Sequence, residues 1–154
     1  MTQWTDMQTP ALTRLPDPGA MPEFYEGVVA KRGIAWVADT IVITLLTTLA
    51  GVLTLTVGFF LWPLFFLGIG ALYRIATIAG GSATWGMRMM GIEFRGHDGE
   101  RFDIVQSVAH VGGYYASVAT VVPWFLSIAT ISTTPRRQSL TDFVLGSAAI
   151  NRPG

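Results

Sequence analysis

Two stretches without a single Lys, Arg, Asp or Glu, residues 40–73 and 104–135, most constrain what this chain can fold into. A helix needs about 20 apolar residues to cross a bilayer core of roughly 30 Å. The first stretch with its flanks is long enough for two crossings, which the sequence places at 33–55 and 59–79. Between them "TLTVGFFLWP" supplies Gly58 and Pro63 for a tight link, and Trp62, whose amphipathic ring suits the membrane interface. Composition agrees: the 154 residues are 51% hydrophobic and only 13% charged, against about 25% charged in ordinary soluble domains.

The second stretch is harder to divide. One helix over 104–134 would be about 46 Å long, well beyond the core, whereas two arms of about 15 residues would each reach only about 23 Å. Pro123 suits the first turn of a new helix and breaks the interior of an old one, which favours a hairpin. The rival reading is a single kinked span starting at Gly112. Charge placement bears on the choice. Arg14, Lys31 and Arg32 precede the first helix; Arg74, Arg88, Arg95 and Arg101 end the second or follow it; Arg136, Arg137 and Arg152 come last. With two hairpins all these cations, and both termini, stay on the cytoplasmic side, as the positive-inside rule requires. The expected fold is therefore an all-α membrane protein of two helical hairpins: four membrane helices, the second pair short, with a three-crossing form as the alternative.

Residues 1–27 form a polar, Pro-rich N-terminal tail with no apolar segment before a cleavage site, expected to be loosely ordered rather than a signal peptide. The membrane domain is placed at 28–151. In the loop after the second helix, Ser82 is the expected cap of a short amphipathic segment containing Trp85, Arg88 and Met89, lying in the membrane interface. "IEFR" and "ERFD" flank "GHDG", which predicts a small cytoplasmic β-hairpin turning at Asp98-Gly99.

Asp39 stands inside the first apolar helix. It shares a face with Arg32, about 10.5 Å away along the axis, but Arg32 lies at the boundary and should snorkel towards water and lipid phosphates. An ionised carboxylate at such depth costs on the order of 2.5–3.5 kcal/mol, so it needs a partner. A hairpin folded around residue 58 brings Arg74 to within about 4.5 Å of Asp39 along the axis, making Arg74 one candidate partner; the C-terminal segment with its arginines is the second. The C-terminal "TPRRQSLTDFVLGSAAI" is expected to dock under the first helix, with Asp142 engaging Arg32.

Other chemistries find little support. There is no cysteine, hence no disulfide or thiolate site. Net charge is zero and no basic run follows a phosphate backbone, which argues against nucleic acid. Two isolated histidines lack metal-ligand spacing, and no phosphate loop, H-E-x-x-H or G-x-S-x-G occurs. The expectation is a protein with no enzymatic activity, cofactor or metal. His110 is a candidate proton relay, the plainer reading being a hydrogen-bonded interface residue; His97 belongs to a solvated turn. Gly51, Gly68, Gly70, Gly112, Gly113 and Ala116 would permit close helix contacts within or between subunits.

Arg32, Asp39 and Asp142, taken in order, resemble the arginine and two aspartates for which the RDD family of small membrane proteins is named. "ATWGMRMMGIEF" is similar to the family's T-x-G-K and following strand, and "RRQSLTDFVLGSAAI" to its S-L-H-D-x-x-x-G-T ending; the resemblance covers roughly 28–151. Met87 stands where the family has lysine, Thr141 where it has histidine and Ser147 where it has threonine. The resemblance implies transport, including sodium/proton antiport, or an accessory place in membrane assemblies, and it suits a bacterial inner membrane. Two functions follow. In one, Asp39 is a protonatable site in an ion or small-solute pathway, tuned by Arg32, Arg74 and Asp142. In the other, these charges lock the fold of an accessory subunit or assembly factor. The expected partners are the lipid bilayer and other membrane proteins or a second copy of the chain.

Overall fold

The computed structural model describes residues 13–54 and 57–153. Helix α1, Val28–Leu53, starts after Gly27, whose φ of 68° turns the chain into the helix, and its 26 residues extend about 39 Å. A single turn, α2 (Val57–Phe60), leads into α3, Trp62–Ala79, with Pro63 in its first turn where a missing N–H is harmless. The two long helices fold back on each other. Phe59 lies against Gly51, Ile43 against Gly70, and Tyr73 reaches Asp39. Gly58 makes the turn possible: a Cβ there would sit 2.8 Å from the Gly51 Cα. The contact pairs centre near residue 56 rather than 58, so Tyr73, and not Thr77, lies level with Asp39.

Residues 104–133 form neither a straight span nor a full hairpin. Asp103 caps α5, Ile104–Ala119, through a reciprocal capping box with Gln106, and α6, Val122–Thr133, leaves at a bend of 116°. Pro123 occupies the first turn of α6, and Val121 takes up the bend at a φ of 55°. A turn beyond a right angle sends the chain partly back. Yet the arms, about 24 and 18 Å long, are each too short to cross alone. Two helices, α1 and α3, are long and apolar enough to span a membrane, or three if the bent pair counts as one broken span.

The loop between α3 and α5 holds α4, Trp85–Met89, and β1, Ile92–Arg95. Thr84, rather than Ser82, caps α4. Ser82 is buried with φ at 56°, and its hydroxyl donates to the Phe94 carbonyl at 2.6 Å and accepts from the Phe102 N–H at 2.8 Å. Helix α4 is amphipathic as expected: Trp85 and Met89 are exposed, while Gly86 and Met87 are buried.

The expected local β-hairpin does not form. Strand β1 pairs antiparallel with β2, Ala148–Asn151, which follows the short helix α7, Leu140–Leu145; Ile92 lies opposite Asn151 and Arg95 opposite Ala148. Two physical reasons decide this. Asp103 is committed to capping α5, and β2 offers fully buried Ala148 and Ala149 and nearly buried Ile150, where "ERFD" would have brought charges.

Ile92 and Phe94 join Val28, Ala35, Ile78, Ala83, Met87, Phe102 and Val111 in the core beneath α1. On the sheet's other side Ala148 and Ile150 pack against Leu15 and Tyr25. Residues 13–27 are therefore docked rather than loose, held also by the Arg14 N–H donating to the His97 carbonyl at 2.7 Å. Residues 1–12 of the expected tail lie outside the described residues.

Candidate functional site

Asp39 is buried at the α1–α3 contact, and three donors fix its carboxylate. The Tyr73 hydroxyl and the Gly86 N–H donate to Oδ1 at 2.7 and 2.9 Å, and the Thr84 hydroxyl donates to Oδ2 at 2.5 Å. Thr84 also accepts from the Met87 N–H as the cap of α4, and the Tyr73 oxygen accepts from the Trp85 N–H. One carboxylate thus fastens α4 across both long helices. Gly86 must be glycine here, because a Cβ would collide with the Ala35 carbonyl of α1.

Arg74 is not the partner of Asp39. It follows Tyr73, so it points about 100° away around α3, and its guanidinium lies 5.0 Å from the Tyr114 ring centroid. Among the described residues Arg74 makes no ion pair.

Asp142 occupies the third position of α7 and is fully buried. Its Oδ2 accepts from the Ser139 N–H and hydroxyl at 2.9 and 2.8 Å in a reciprocal capping box, and from Arg32 Nη1 at 2.8 Å. Its Oδ1 accepts from the Ser147 hydroxyl at 3.3 Å. Arg32 also donates to the Arg137 carbonyl at 3.3 Å and lies 5.7 Å from the Phe94 ring centroid. Burial by itself pushes the Asp142 carboxyl up, but Arg32, His110 and the Ser139 hydrogen bonds outweigh it and hold the group below its ordinary value.

The first and last apolar elements are thereby clamped together by an arginine in the opening turns of α1 and an aspartate near the C-terminus, with a second aspartate two turns further along α1. A model of the RDD family matches residues 27–146. The chain belongs to the RDD family. Comparison with curated proteins and with solved structures gives no match.

In this RDD protein the family's T-x-G becomes legible as Thr84 and Gly86, the two loop donors to Asp39. Met87, at the position of the usual lysine, is buried in the core. Thr141, at the position of the usual histidine, packs against Gly113 of α5. His110 is buried between Phe94 and Phe102, with ring centroids 4.3 and 5.7 Å away. Its Nδ1 is 3.5 Å from Asp142 Oδ1, and among the described residues that nitrogen has no hydrogen-bond partner.

Two cavities flank this cluster. One of about 350 Å³ lies between α1, α5 and α6, with Trp124, Ser127 and Ile131 along its wall. Another of about 120 Å³ lies between α1, α3, α4 and α5 and holds Asp39, Arg74 and Thr84. Both are lined by Arg32, Trp36, His110 and Tyr114, which form the wall between them, closed by a 2.9 Å hydrogen bond from Trp36 Nε1 to the Tyr114 hydroxyl. Arg32, Asp39, Arg74 and His110 therefore border one small space, and Asp142 sits behind Arg32. Among the described residues no group of three His, Asp or Glu side chains is placed to hold a metal ion.

Sequence reasoning missed the neutral donors Tyr73, Thr84 and Gly86, and it missed Glu93, which is fully buried on β1 with three arginines around it. The Thr-x-Gly spacing was the available signal for Thr84 and Gly86. Nothing local marked Glu93, whose strand reads as having one polar, exposed face.

Proposed function

We propose that this RDD protein is a non-enzymatic accessory or assembly subunit of a larger membrane complex, and that its buried charges build the fold. The observation carrying this reading is the engagement of both aspartates within the chain: every carboxylate oxygen accepts from at least one fixed donor. Buried polar groups that hold a fold together are hydrogen-bonded in this way. The polar groups also crowd around one end of α1, while its other end packs through Thr47, Gly51 and Phe59. Purification of the intact protein in mild detergent from its native membrane tests this reading. A stoichiometric membrane-protein partner is expected, and repeated isolation of the chain alone would defeat it.

A second reading, ion or small-solute transport through the cytoplasmic half of an inner-membrane protein, draws on the two adjoining cavities and the Trp36–Tyr114 closure between them. It requires reconstituted protein to dissipate a proton gradient on addition of sodium or another small solute, and Asp39→Asn to stop this while the chain remains folded. Absence of flux under any imposed gradient would end it.

A further inference from the structure

Glu93 belongs to neither reading of the central cluster. Its side chain is fully buried, and both oxygens are taken by guanidinium groups. Arg95 grips Oε1 through Nε at 2.8 Å and through Nη2, while Arg101 Nη2 and Arg152 Nε approach Oε2 at 3.3 and 3.2 Å. A buried carboxylate needs a compensating cation, and Arg95, only 19% exposed, already supplies one with a forked contact. Arg101 and Arg152 exceed that need.

These two side chains are 58% and 39% exposed, and among the described residues each spends one side-chain N–H group on Glu93. A guanidinium has five N–H donors, so most of theirs remain available. The four side chains carry a net charge of +2, and no other carboxylate among the described residues is ion-paired to the three arginines. Asp98 accepts from the Glu100 N–H within the 96–100 turn, and Asp103 caps α5. Two like charges are thus held at one oxygen by a buried anion, which is a preorganised arrangement for a second, external anion.

We propose that Arg101 and Arg152, braced by Glu93 and Arg95, form a binding site for a phosphate group. Paired N–H groups of planar guanidinium match phosphate oxygens bidentately. Asn151, next to Arg152, accepts from Lys31 in the first turn of α1 at 2.7 Å. That contact puts the site near the level where the chain enters its apolar span, within reach of either a phospholipid headgroup or a phosphate compound in solution. The site is independent of the function proposed above.

The test uses the full chain in two arms. Purified protein in neutral detergent is titrated with pyrophosphate, and protein in mixed phosphatidylcholine–phosphatidylglycerol nanodiscs is assayed by native mass spectrometry for retained phosphatidylglycerol. Binding weakened by salt is expected in at least one arm; pyrophosphate binding identifies a soluble ligand, and phosphatidylglycerol retention alone identifies a lipid. The double variant Arg101→Gln/Arg152→Gln should lose about tenfold or more in affinity, while Arg88→Gln, outside the cluster, should match the parent. Thermal unfolding checks that the variants fold, and the exposed single change Arg101→Gln serves if the double variant does not. Absence of binding in both arms, or affinity unchanged by these substitutions, would overturn the proposal.

Discussion

A buried carboxylate is stable only if the chain brings donors to it, and Asp39 within α1 and Asp142 on the short α7 are supplied differently. Asp39 relies on two hydroxyls and a backbone N–H. Asp39→Asn keeps the shape but replaces one acceptor with an amide that cannot satisfy the same donors, so it should lower stability by about 1–3 kcal/mol. The readout is the Tm in detergent; an unchanged Tm would remove the structural role. Asp142 relies on a cation, and Arg32→Ala strands it. Breaking a buried pair on one side costs about 3–5 kcal/mol. The C-terminal arm should then be cut rapidly by chymotrypsin at Phe143, and adding Asp142→Asn should restore part of the protection. The pH dependence follows from the same contact. Because the folded Asp142 titrates below the released one, which has a pKa of about 3.9, its contribution is complete above that value. It is lost as pH falls through the lowered folded value. Hydrogen exchange of the α7 amides, corrected for its intrinsic pH dependence, should stay slow near about pH 5 and accelerate only in strongly acid solution; acceleration already at neutral pH would contradict the assignment.

At the scale of elements, the sequence placed α1 and α3 well and the loop poorly. Long charge-free runs mark a span whatever it packs against. The azimuth of neighbouring residues depends on where the hairpin turns: a shift of its centre from 58 to near 56 brought Tyr73 level with Asp39, and the azimuth left Arg74 beside Tyr114. Helix α4 illustrates a contact too close for any side chain. Gly86→Ala should push α4 off the Ala35 carbonyl and disturb all three Asp39 hydrogen bonds. Its Tm should fall at least as far as that of Asp39→Asn, and an equal or higher Tm than the parent would refute the close approach. The bend between α5 and α6 rests on Val121 in the left-handed region, where a β-branched residue is strained. Val121→Gly should therefore raise stability, by up to about 1 kcal/mol.

The molecule as a whole is tied together by its ends. Strand pairing joins the loop after α3 to residues 148–151, and Arg32 of α1 binds Asp142. Residues 13–25 cover the outer side of that small sheet. These contacts gather the N-terminal segment, the central loop and the C-terminal strand at one end of the α1–α3 pair, and the expected outcome is that all three are reached from one side of the bilayer. The absence of native cysteine makes the check direct. Single cysteines at Glu100 and Pro153, both exposed, should be labelled by an impermeant reagent from the same face of sealed vesicles; labelling from opposite faces would contradict the fold.

By itself, the sequence determined that this is a membrane protein, where its two long helices lie, and that Arg32 and Asp142 would meet. Each of those rests on composition or on an uncompensated charge, which physics penalises in any conformation. The partner of Asp39, the strand paired with β1 and the burial of Glu93 were decided only in the tertiary structure. Neutral donors, strand edges and a glycine's missing side chain become specific only once distant segments occupy the same few ångströms.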